Sequence, residues 1–496
     1  MQYILSIDQG TTGTTACLVE TQNFTFVGKV NKEYPQIYPK PSWVEHNLND
    51  IWKTVEDSTR ELLAKFKIDQ SKIVAIGITN QRETTCAFSK TGEPLGHAIV
   101  WQDRRTIDEC EKLKLNGHEE NIKNKTGLTL DPYFSATKIQ WLLNHNERVI
   151  QAKKNKDLCF GTIDTFLLYK LTAGMAFKTD ATNASRTMLY DIHQNKWSEE
   201  LLELFGVDQS ELPTVEDSFH VFGKTKGCAF LPDGIPITGI LGDQQAALFG
   251  QAGIRSGDLK CTYGTGAFLL LNTGSKIIKS HNGLLTTIAY RYQGSSSYAL
   301  EGSCYIAGAA VQWLRDNLKL IKKSSDIEAL AREVQDLEEM KHVMFLPFFA
   351  GLGSPYWNAS AKAAIVGMTR DTKEKHLAFA ALEGIALSIT DLVEALRLET
   401  KLSIKELKVD GGAAENDLLC QLQASFAQLK IIRPKVIETT AYGAALASLV
   451  GLGHVKLDQL DQLWKVDKEF DSEKKFENYA REKKNAWKQT IQKLYF

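Results

Sequence analysis

Tyr3-Ile-Leu-Ser-Ile-Asp-Gln-Gly-Thr-Thr12 is an apolar strand pattern that breaks into a Gly-Thr turn and then resumes as a second strand. Cys261-Thr-Tyr-Gly-Thr-Gly-Ala-Phe268 repeats that pattern about half a chain later. Two copies of one unit predict two related halves whose turns face each other across a cleft. Either turn alone reads equally as an ordinary β-hairpin. As a pair they predict a polyphosphate site, because glycine lets backbone N–H groups approach phosphate oxygens and threonine adds a hydroxyl donor.

Working outward, 496 residues exceed what one core serves, and the division is expected at 1–250 and 251–496. The hinge falls at Gly250 to Gly257, which carries three glycines. Lys and Arg total 59 against 60 Asp and Glu with no block of like charge, which argues against a nucleic-acid scaffold or a membrane-surface protein. The eight cysteines lie singly, with no CxxC pair and no metal spacing, and read as free thiols in a reducing compartment. A strand opening at residue 3 leaves no room for a signal peptide, and no apolar run is expected to span a bilayer. The expectation is a soluble, cytoplasmic protein with a small-molecule partner.

Strand and helix patterns alternate, which predicts an α/β architecture. Ile73-Val-Ala-Ile-Gly-Ile reads as a strand buried on both faces, after a helix over 50–66. A long helix from His376 to Leu396 leads to a strand at Leu407 that runs into Asp410-Gly-Gly, again suggesting backbone near a ligand. From Glu473 to Leu494, Phe476, Ala480, Trp487, Ile491 and Leu494 recur at helical spacing, predicting a docked amphipathic helix with a charged outer face.

GxxxxGK[ST], GxGxxG after a strand, HExxH and GxSxG are all missing, so P-loop, dinucleotide, zinc-protease and serine-hydrolase chemistries lose their usual support. Asp8 sits at the mouth of the first turn. It either caps its own turn or faces polyphosphate through a divalent cation, for which magnesium held through water is the candidate. Asp243 follows a buried strand and opens a helix, at the strand end where ligands gather in open α/β sheets. It reads as a helix N-cap, as the base that takes a proton from an attacking hydroxyl, or as both. Arg82 and Glu83, in Asn80-Gln-Arg-Glu-Thr-Thr85, are either a surface ion pair or a clamp for neighbouring hydroxyls of a polyol. Trp101 and Phe268 are either core aromatics or walls of the same pocket.

These stretches, with Val100-Trp-Gln, Asp131-Pro-Tyr-Phe-Ser and Gly242-Asp-Gln-Gln-Ala-Ala-Leu-Phe-Gly-Gln251, resemble the FGGY carbohydrate kinase family over nearly the whole chain, and within it the branch that phosphorylates glycerol. The Gly-Thr turns and Asp-Gly-Gly are shared with the wider actin-like ATPases; Asn-Gln-Arg-Glu-Thr-Thr is more specific. The resemblance implies a duplicated ribonuclease H-like fold and transfer of a phosphoryl group from ATP, with Mg2+, to glycerol to form sn-glycerol 3-phosphate. It implies that Arg82, Glu83, Tyr133 and Asp243 bind glycerol, with Gln244 beside them and Trp101 and Phe268 as walls. Thr11, Thr12, Gly13 and Thr265 are implied at the phosphates, and Gly308, Gln312, Gly412 and Asn416 around the nucleotide. A homo-oligomer is implied as well. Where many relatives continue the first turn with an arginine, this chain has Thr15, which puts an extra charge contact to ATP there in doubt.

Two rival readings stay open. A sibling sugar kinase shares all but the polyol pocket, and an actin-like filament or chaperone ATPase shares only the nucleotide turns. For regulation, the stretch Lys224 to Pro236 contains neither arginine nor histidine and carries Asp233, so control by fructose 1,6-bisphosphate or by a phosphocarrier through this loop is expected to be absent.

Overall fold

A computed structural model describes residues 1–358 and 360–496. Both Gly-Thr turns are antiparallel hairpins, formed by strands Tyr3–Gln9 and Gly13–Glu20 and by strands Leu259–Tyr263 and Ala267–Gly274. Each hairpin nucleates a mixed sheet. In the first sheet, strand Phe26–Glu33 pairs antiparallel on one side, and Ile73–Asn80 then Pro236–Gly242 follow in parallel on the other. In the second, Ser295–Cys304 takes the antiparallel side and Glu406–Asp410 then Lys430–Pro434 the parallel side. The five-strand order and directions are the same in both, so the two related halves expected from the repeat, and the duplicated ribonuclease H-like fold that the resemblance implies, are what the chain adopts. The central parallel strands are almost wholly apolar, as strands covered on both faces must be.

Register sets the site. Asp8 stands opposite Thr79, and Gly242 opposite Asn80, so the chain leaves three adjacent strands at one edge with Gly10, Gln81 and Asp243 side by side. Asp410 stands opposite Thr262 at the matching edge of the second sheet.

Helix Leu48–Phe66 is capped by the Asn47 side chain and buries Leu48, Ile51, Val55 and Leu62 on the first sheet. Helix Glu374–Glu399 is buried along most of its length in the second half. By length and composition it is long enough to cross a membrane, contrary to the expectation that no such run exists; it is instead a core helix, with nearly all of its apolar window inside the protein. The last helix, Lys474–Tyr495, docks as an amphipathic element through buried Phe476, Ala480, Trp487 and Ile491, but Leu494 lies at the fraying end and is 49% exposed.

We propose 1–250 and 251–496 as the two covalent halves, but the packing crosses that line. Helix Thr439–Gly451 belongs by sequence to the second half and packs on the first sheet and on helix Asp243–Gly250. Its small residues allow backbone contact. A Cβ at Gly443 would stand 1.9 Å from the carbonyl oxygen of Ala246.

Candidate active site

A cavity of about 330 Å³ opens between the two sheets where the turns face each other. Thr11 and Thr12 of the first turn and Gly264 and Thr265 of the second line it, as do Arg82, Glu83, Trp101, Tyr133, Asp243, Gln244 and Phe268. A larger cavity of about 580 Å³ lies beside it in the second half, bordered by Thr265, Gly308, Gln312, Gly412 and Asn416. Gly264 and Thr265 belong to both walls, so the second turn is the threshold between the two spaces.

Both turns have their carbonyls tied back. The Tyr34 hydroxyl lies 2.6 Å from Gly10 O and 2.8 Å from Thr11 O, and Gln36 Nε2 donates to Thr11 O at 3.0 Å. In the second turn, Gly308 N–H donates to Gly264 O at 3.0 Å and Ala307 N–H to Thr265 O at 2.8 Å. Holding carbonyls away leaves glycine-flanked backbone open to an anion. Gly13 has a packing reason to be glycine. It is the first residue of its strand, lines neither cavity, and a Cβ there would meet Lys32 O at 2.7 Å, so it serves close strand packing.

Trp101 joins the two ends of the smaller cavity. Its ring meets Tyr133 edge-on with centroids 5.6 Å apart and Phe268 at 6.4 Å, while its indole Nε1 donates to Thr11 Oγ1 at 2.9 Å. Trp101 and Phe268 both line the smaller cavity, and Trp101 is bonded to the first Gly-Thr turn.

Arg82 and Glu83 are both buried, so the surface ion-pair reading fails. They are also not chiefly each other's partners. Arg82 Nη1 and Nη2 grip Glu301 at 2.6 and 2.9 Å, and Glu83 is held by Arg186 Nε at 2.6 Å, whereas Arg82 Nε stands 3.9 Å from Glu83. The Arg82 fork assigned to polyol hydroxyls is thus committed to a carboxylate from the other half. Glu83 also adopts a left-handed backbone, with a φ of 61°, a conformation that costs on the order of 1–3 kcal/mol in a non-glycine residue and that clusters at functional sites. Arg186 and Glu301 were missed from sequence. The available signal was a charge inside an apolar strand, Tyr298-Ala-Leu-Glu-Gly302.

Asp243 is the first residue of helix Asp243–Gly250, and Gly242 is the N-cap, so the N-cap reading is corrected. Its Oδ1 accepts the Gln244 N–H at 2.7 Å and lies 3.2 Å from Arg82 Nε. Burial raises its pKa, with Arg82 and Lys260 opposing. Lys260, also missed, is a buried ammonium whose Nζ donates to Gln244 Oε1 at 2.6 Å and Thr262 Oγ1 at 2.9 Å.

Asp8 is half-buried at the end of its strand and lines neither cavity. Burial first, then Asp243 and Glu438, push its carboxyl up to about 8, against Lys29. Among the described residues no three His, Cys, Asp or Glu side chains gather at metal distance. Such a donor set suits one hard cation completed by phosphate oxygens and water, and does not suit a protein-caged metal.

Two family models match the chain, the N-terminal domain of the FGGY family of carbohydrate kinases over residues 3–250 and its C-terminal domain over 259–452. The chain is similar to glycerol kinase of Bdellovibrio bacteriovorus, 49% identical over 495 residues covering 99% of both chains, and to that of Myxococcus xanthus, 48% identical over 497 residues with the same coverage. Among solved structures it resembles Plasmodium falciparum glycerol kinase with ADP, at a TM-score of 0.90, 35% identity, and coverage of 100% of this chain and 99% of that one. It shares its fold with a xylulose kinase of Lactobacillus acidophilus at a TM-score of 0.88 and 23% identity, covering 100% of this chain and 98% of that one. The chain is a kinase, and it belongs to the FGGY family of carbohydrate kinases.

Proposed function

We propose that this kinase transfers the γ-phosphoryl group of ATP to glycerol, giving sn-glycerol 3-phosphate. The observation that carries the reading is the second turn shared by two cavities, one large enough for a nucleotide and the other ending in Arg82, Glu83 and Asp243. ATP lies in the larger space with its phosphates crossing Thr265 toward Thr11 and Thr12. Glycerol lies in the smaller one, its carbons against Trp101 and Phe268 and its hydroxyls within reach of Glu83, Tyr133 and the Arg82 Nε.

Asp243 accepts the proton of the attacking hydroxyl as the oxygen–phosphorus bond forms and the bond to ADP breaks. Burial raises the pKa of that carboxyl, which favours its taking a proton, while Arg82 and Lys260 act against the rise. The tied-back turns present their N–H groups and threonine hydroxyls to phosphate charge, and closure of the two halves excludes water that would otherwise take the phosphoryl group. A magnesium ion beside Asp8 supplies charge neutralisation on the phosphates when bound.

A coupled assay of ADP release with glycerol, with xylulose and with no acceptor tests the proposal. Glycerol-dependent release is expected. A pentulose preferred over glycerol overturns the acceptor, and release independent of any acceptor favours an actin-like ATPase.

A further inference from the structure

Glu301 lies inside strand Ser295–Cys304 of the second sheet and is fully buried. Its carboxylate receives both Nη atoms of Arg82 and, at 2.9 Å, Nη2 of Arg186, while Arg186 Nε holds Glu83. Two arginines and two glutamates thus form a charge-balanced ring. It joins the Arg82-Glu83 motif of the first half to the sheet of the second, with Arg82 and Glu301 219 positions apart in the chain. Arg82 and Glu83 line the cavity; Glu301 and Arg186 lie behind them.

A buried ion network is a poor way to gain stability, since apolar residues of the same volume often serve as well. Its geometry is informative instead. With both Nη atoms occupied, the guanidinium plane is fixed, and Nε, which has no hydrogen-bond partner of good geometry, is left beside Asp243. Burial alone would raise the Glu301 carboxyl, but Arg186 and Arg82 outweigh it and hold it near 2, so the grip persists at neutral pH.

We propose that Glu301 is a positioning residue: from the second sheet it fixes the Arg82 guanidinium at the acceptor end of the cavity, and so makes acceptor binding depend on the docking of the two halves. This rests on the phosphotransfer reading above.

The test is a double-mutant cycle in the full chain, with Glu301→Gln, Arg82→Ala and the pair. Wild type is first titrated with glycerol, xylitol and xylulose, and the acceptor that saturates is used throughout, so a wrong acceptor counts against the reading above and not against Glu301. Glu301→Gln is expected to raise the acceptor KM about 10- to 100-fold, as loss of a charged hydrogen bond does, with little change in the ATP KM. In the Arg82→Ala background the same change is expected to move the acceptor KM several-fold less than in wild type, because only the route through Arg186 and Glu83 remains. A general structural role would shift both KM values together and act equally in both backgrounds. An unchanged acceptor KM in Glu301→Gln, or effects that multiply in the double variant, overturns the proposal. Calorimetric titration with ADP reports whether each variant is folded; if Glu301→Gln is not, Glu301→Asp, which keeps the charge and withdraws it by one methylene, is read by the same criteria.

Discussion

Trp101 Nε1 donates to Thr11 Oγ1 at 2.9 Å, so one side chain both lines the smaller cavity and orients a hydroxyl of the first Gly-Thr turn. Trp101→Phe keeps an aromatic wall and removes that donor. Steady-state kinetics are expected to show kcat/KM for ATP falling about 2- to 12-fold, the range of one neutral hydrogen bond, with a smaller change in the KM for glycerol. An effect confined to glycerol would make the indole a wall alone.

Asp243→Asn keeps the shape and the contact to the Gln244 N–H but cannot accept a proton. Single-turnover and steady-state assays are expected to show kcat lower by roughly 10²–10⁴-fold with nucleotide binding retained. A variant that keeps most of its kcat would move the base elsewhere.

The aromatic wall bears on acceptor length. Tyr133 and Phe268 pack on Trp101 at ring-centroid distances of 5.6 and 6.4 Å, so the three rings form one fixed wall, and a fixed wall is expected to favour a short acceptor. Glycerol is expected to exceed xylitol and xylulose in kcat/KM by at least about tenfold, on the scale that apolar pockets discriminate by size. Comparable values for all three would refute that role of the wall.

A carboxyl that lines neither of the two cleft cavities sets a pH dependence of stability. Asp391, beneath the last helix, accepts from Trp487 Nε1 at 2.7 Å and Tyr356 Oη at 3.0 Å, and burial pushes it up to about 7 despite those bonds. Because the folded pKa lies above the unfolded value of about 3.9, the folded state binds the extra proton; the stabilisation is full below about pH 4 and is lost as pH rises through about 7. Asp391→Asn removes this contribution. Thermal melts are expected to show a smaller drop in Tm between about pH 5 and pH 8 for the variant than for wild type.

Insensitivity to fructose 1,6-bisphosphate is expected from the loop 225–235. Asp233 Oδ1 accepts the Gly227 N–H at 2.7 Å, so the carboxylate occupies a backbone donor that an anion would need and repels phosphate besides. Initial rates with and without about millimolar bisphosphate check this; strong inhibition at neutral pH would place an anion site on residues outside the loop.

What the sequence by itself determined are the features that local backbone chemistry specifies. Two Gly-Thr hairpins, the strand into Asp410-Gly-Gly and the amphipathic last helix follow from short-range rules of turn and period, and with them come the duplicated fold and most of the residues that line the two cavities. The pairing of buried charges was decided only by the tertiary structure. Arg82 finds Glu301, Glu83 finds Arg186, and Lys260 sits behind Gln244, because charges enclosed between two sheets must be balanced by whatever the opposite sheet supplies; neither periodicity nor spacing records which residue that is. The same holds for Gly13 and for helix Thr439–Gly451. A glycine in a Gly-Thr turn and a run of small residues look alike whether they approach a phosphate or a neighbouring backbone, and only the packing of the two halves tells which.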